Sequence, residues 1–110
     1  MNAALNFTGN ISIADVEKSM KLIDANVILR FLLKDITEQA EIAKEIIKKG
    51  ACTRTEVIAE VIYVLSSVYD MERGRIYECI NVILNLVKVE DKEAIKEALK
   101  IYKDTTLDFV

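Results

Sequence analysis

The chain of 110 residues has no histidine, no proline, three glycines and two cysteines. It also has no apolar run approaching the roughly 20 residues that a membrane-spanning helix needs. Without histidine there is no imidazole general base, no imidazole zinc ligand and no Ser-His or Cys-His nucleophile pair, so any chemistry must run on carboxylates. Cys52 and Cys79 are too few and too far apart for a disulfide framework or a zinc knuckle, and they read as small core residues of a reduced compartment. Residues 1–19 carry Asp15 and Glu17 and lack the basic flank and apolar stretch of a secretory signal. A soluble, cytoplasmic protein with no membrane segment is expected.

Hydrophobic residues make up 52% of the chain and charged residues 30%, enough for one core and one domain. The net charge of -3 argues against a broad electrostatic grip on nucleic acid, although a local basic strip can still guide a phosphate backbone. Abundant Ile, Lys and Glu beside a single Gln favour long helices and suit a heat-adapted source.

Strand and helix signals alternate. Lys21-Leu22-Ile23 is a short apolar run ending in Asp24, followed by helical spacing through Val27, Ile28, Phe31 and Leu32. Lys34-Asp35-Ile36 breaks that pattern, and Thr37 with Glu38 opens a second helix that stops at Gly50. Ala51-Cys52-Thr53 predicts a second strand, Thr55 to about Tyr69 a third helix, and Glu72 to Leu86 a fourth. Val87-Lys88-Val89 predicts another strand, and Asp91 starts a fifth helix ending near Tyr102. This order predicts an α/β fold with a short parallel sheet of about three strands and right-handed crossovers. Ligands of such sheets bind beyond the carboxyl ends of the strands.

Asp24 lies at such an end and also opens a helix, so its carboxylate can hold a hard metal beside free helix N–H groups, with Asn26 steadying Asp24 or a metal-bound water. Equally, Asp24 can serve only as a helix cap. On the third helix, Glu56, Glu60, Tyr63 and Ser67 share a narrow stripe, and Val57, Val61, Val64, Leu65 and Val68 take the opposite face. A stripe of that kind is ordinarily a solvated helix face; Glu60 rises above that reading if its helix swings it towards Asp24.

The segments "KLIDANVILRFLL" and "TRTEVIAEVIYVL", followed by "YDMERGRIYECINVILNLVKVED" and "IYKDTTLDFV", resemble the PIN domains, above all the VapC-type toxin ribonucleases, over Met20 to Val110. The resemblance implies a PIN-like three-layer sandwich, its short parallel sheet flanked by helices. It implies a metal-dependent endoribonuclease that hydrolyses RNA phosphodiesters with Mg²⁺ or Mn²⁺ held by carboxylates. Carried onto this sequence, the metal-binding and catalytic pair is Asp24 and Glu60, with Asn26 and Glu56 in support. The family's third acid lies in a segment of the form L-D-F-x-D-A; this sequence reads Leu107-Asp108-Phe109-Val110 and ends, so the domain is expected to be incomplete at its C-terminus. Asp108 occupies the earlier place in that segment and is a third candidate metal ligand, or simply a loop carboxylate. An RNA substrate, an antitoxin protein and a homodimer are the implied partners.

The alternative is a catalytically incomplete PIN remnant acting as a dimerisation or antitoxin-binding module. In a third reading, a helical assembly protein pairs the apolar faces of Ile76 to Leu86 and Val57 to Val68 between subunits. Residues 1–19 precede the PIN-like domain of residues 20–110 as an extension, in which Leu5, Phe7, Ile11 and Ile13 alternate around Thr8-Gly9 as a modest hairpin signal.

Overall fold

In the computed structural model, which describes residues 20–105, strand β1 (Lys21–Leu22) feeds into helix α1 (Ala25–Leu33). Asp24 is the cap: its backbone is extended and its Oδ1 accepts the Val27 N–H at 3.2 Å, satisfying a donor that the helix itself cannot. Lys34 ends α1 in the left-handed region, at φ 54°, and its N–H returns to the Arg30 carbonyl. Helix α2 (Thr37–Lys48) follows. Its cap position is taken by Ile36, which has no side-chain acceptor, rather than by Thr37. Gly50, at φ 110°, then turns the chain into β2 (Ala51–Thr53), a backbone that a side chain would strain.

Helix α3 (Thr55–Ser67), helix α4 (Arg73–Leu86), strand β3 (Lys88–Val89) and helix α5 (Lys92–Asp104) complete the order. The strands form one parallel sheet in the order β1-β2-β3, pairing Leu22 with Cys52 and Cys52 with Lys88. The expected α/β chain with a short parallel sheet of three strands is thus present. With that order, right-handed crossovers carry α1–α2 and α3–α4 over the same face of the sheet.

Burial shows which face this is. Ala51, Thr53 and Val89 alternate inward and are buried, whereas the row Leu22, Cys52 and Lys88 points the other way. Leu22 is 56% exposed, Lys88 is exposed and Cys52 half-buried.

The core forms between the inward strand residues and the helices, from Ile28 of α1, Ile58, Val61 and Leu65 of α3, and Ile76, Ile80, Ile83 and Leu84 of α4. Each such side chain contributes about 1.5–3 kcal/mol on leaving water. The apolar faces of α3 and α4 are therefore used within one chain. Val68, the cap at the end of α3, keeps a helical backbone and its N–H donates to the Val64 carbonyl, yet it is 67% exposed, and Ile58 and Ile62 take the buried arc with Val61 and Leu65. Helix α5 is held to α4 by Arg73, which stacks over the Tyr102 ring at 4.2 Å and donates to the Tyr102 carbonyl at 3.0 Å. Among the described residues no helix is long and apolar enough to cross a membrane. Residues 1–19, with their hairpin signal, lie outside the described part.

Candidate active site at the strand ends

Asp24 is positioned by a small set of interactions at the carboxyl end of β1. The Ile23 N–H donates to the Cys52 carbonyl at 2.9 Å, continuing the ladder by one residue. The buried Thr53 hydroxyl donates to the Ile23 carbonyl at 2.9 Å, holding the peptide that joins Ile23 to Asp24. With Ile23 buried between these bonds, the backbone at Asp24 cannot slide along the sheet. Thr53 was not singled out from the sequence; its only signal there is a hydroxyl at the end of a short strand among small residues.

Asp24 is itself exposed. Its Oδ1 is occupied by the Val27 N–H, and Oδ2 has no donor among the described residues. It lines a cavity of about 380 Å³ together with Lys21, Val27, and Arg54 and Val57 of the α3 start. Helices α1 and α3 pack against each other, so the first turns of both frame this carboxylate.

Glu60 is exposed on α3, three residues after Val57, which places its Cα about 4.5 Å further along the axis than a residue that shares the Asp24 cavity. It lines neither of the cavities at the strand ends. The stripe of Glu56, Glu60, Tyr63 and Ser67 is exposed throughout, and Ser67 donates back to the Tyr63 carbonyl at 2.7 Å. Glu56 lines a second cavity, of about 480 Å³, over the ends of β2 and β3. There Thr55 donates to the Glu90 carbonyl at 3.4 Å, joining the start of α3 to the end of β3.

Asn26 is turned to another side. It lines an apolar groove between α1 and α2 with Val27, Arg30, Gln39 and Ile42. In this groove the Oε1 of Gln39 is buried without a donor, and Ile42 is exposed. Asp108 lies outside the described residues.

Carboxylate oxygens are the donors that hard divalent cations select, and Mg²⁺ keeps several of its own waters, so a pair of acids suits it as a partial donor set. Asp24, with one oxygen not engaged by protein, fits such a role. Among the described residues no group of three or more acidic or cysteine side chains is arranged to hold a metal. Cys79, on α4, has its thiol pushed up from the usual 9.0 by burial, with Arg75 opposing and Glu78 reinforcing the shift.

The chain matches the model of the PIN domain over residues 21–110. It is 39% identical over 90 residues to the VapC ribonuclease of Aquifex aeolicus (strain VF5), an alignment that covers 76% of this chain and 67% of that protein. No solved structure matches it significantly.

Proposed function

The chain belongs to the PIN-domain family, in its VapC-like branch, and from that premise we propose that it is a metal-dependent endoribonuclease in which Asp24 and Glu60 hold Mg²⁺ or Mn²⁺. The observation that carries this reading is the state of Asp24: a carboxylate fixed at the end of β1, capping α1 with one oxygen and presenting the other without a protein donor. The second oxygen is open to a cation, and the cavity that Asp24 shares with the first turn of α3 leaves room for a phosphodiester beside it.

When bound, the cation supplies activation of water and stabilisation of charge developing on phosphorus. The protein supplies the rest. Asp24 and Glu60 contribute negative charge and oxygen ligands, Glu56 adds to the acidic field next to them, and Thr53 keeps the Asp24 backbone in place. The free N–H groups of the α1 and α3 first turns favour an anion at the same rim.

An antitoxin protein, a homodimer and a cytoplasmic setting complete the proposal, by analogy with the VapC relative. The α1–α2 groove supports a protein partner: exposed Ile42 offers apolar surface, and Arg30 in the same lining offers a donor. A binding module without cleavage is the second reading, and that groove serves it equally well. Cleavage of a defined RNA with Mg²⁺ or Mn²⁺ separates the two. Asp24→Asn and Glu60→Gln should each lower the rate by at least about a hundredfold. Cleavage that survives both changes rules out the proposed site.

A further inference from the structure

The two cavities at the strand ends share a wall. Leu22 and Arg54 line both of them, so together they form the ridge between the Asp24 cavity and the larger cavity over β2 and β3. Leu22 is a large apolar side chain left 56% exposed on the open face of the sheet. Arg54 is exposed and makes no hydrogen bond or ion pair through its side chain among the described residues, although Glu56, Glu90 and Asp91 line the same cavity. It stands at the cap position of α3, where its side chain makes no capping bond.

These features differ in chemistry along one line. The ridge offers a planar, permanently charged fork of donors beside an apolar surface, which suits a phosphate and the face of a base. The larger cavity offers Glu90 and Asp91, which repel phosphate but accept hydrogen bonds from ribose hydroxyls and base amino groups. At about 480 Å³ it has the size of a small-ligand site. A single-stranded chain fits this sequence of surfaces, because its phosphates and nucleosides can face different walls.

We propose that the Leu22–Arg54 ridge carries single-stranded RNA from the Asp24 cavity into the larger cavity, with Arg54 binding the phosphate next to the one cut and the cavity holding the adjoining nucleoside. This deepens the nuclease reading and rests on it. Arg54 acts here through binding and register, and the reacting atoms stay with Asp24.

The test is fluorescence anisotropy of a short, labelled single-stranded RNA with the full chain, in chelator and over a range of salt, so that binding is read without cleavage. Arg54→Ala should weaken binding roughly tenfold, the loss of one charge-assisted contact. It should also reduce the slope of log affinity against log salt by about 0.7, the share of one phosphate on a single strand. Arg54→Lys should keep the slope and lose part of the affinity, since charge remains and the fork does not. Leu22→Asn should weaken binding with no change in slope. An Arg54→Ala protein with native circular dichroism, wild-type affinity and wild-type slope overturns the ridge. Cleavage assayed separately keeps the premises apart. If Asp24→Asn silences cleavage while Arg54→Ala binds as the wild type does, the ridge alone falls. A wild-type chain that neither binds nor cuts RNA removes the nuclease reading and the ridge with it.

Discussion

The two faces of the sheet are built from neighbouring residues and have opposite fates. Ala51, Thr53 and Val89 turn to the helices and are at most 7% exposed, while Leu22, Cys52 and Lys88, alternating with them, form a row that is open at both ends. The inward residues are small or branched, and Ala51 and Val89 belong to the same core cluster as Ile58, Ile76 and Ile83. The outward row mixes an aliphatic, a thiol and a cation, a combination that no single core would collect. The packed face fixes where the strands end; the open face and the rim above it are where a ligand can reach them. Stability and function are thereby assigned to alternate residues of the same short strands.

Substitutions on the packed side should cost most. Leu65→Ala, in the fully buried part of α3, should destabilise the fold by about 2–5 kcal/mol in denaturant unfolding, and a loss under 1 kcal/mol would show that the α3–α4 core is not as closely packed as described. Thr53→Val keeps the shape at the rim and removes the hydroxyl that serves the Ile23 carbonyl, so a loss of about 1–3 kcal/mol is expected from the unsatisfied buried acceptor. The same variant should lower RNA cleavage by more than its stability loss explains, because Asp24 follows that peptide. Leu22→Lys, across the sheet from these, should leave stability within about 0.5 kcal/mol. A large loss there would mean that the outward row is covered.

Much of the fold could be read from the sequence. Short apolar runs ending in Asp24 and Thr53, each followed by helical spacing, placed the strands and their carboxyl ends correctly, and Gly50 marked the turn that its left-handed backbone requires. The shortness of the strands hid the rest. A strand of two or three residues shows no alternation, so the open face could not be told from the packed one, and Leu22 read only as part of a short apolar run. On α3, periodicity identified the acidic stripe and the apolar arc opposite it, but not how far along the helix that arc stays covered. Val68, at the last turn, keeps the spacing of the apolar face and is nevertheless exposed. Asp24 and Glu60 were legible as a pair only through their resemblance to PIN domains, since α-helical spacing says nothing about which strand end a stripe approaches. Arg54 carried no local signal, and its place on the ridge emerges only when both cavities are seen together.

Whether Asp24 and Glu60 serve one cation is tested most directly by Mn²⁺ binding to the full chain, followed by electron paramagnetic resonance, for the wild type, Asp24→Asn and Glu60→Gln. A shared site predicts that each substitution alone weakens Mn²⁺ binding by at least about tenfold. Wild-type affinity in Glu60→Gln, with binding lost in Asp24→Asn, would contradict it and leave Asp24 to hold the ion without the α3 stripe.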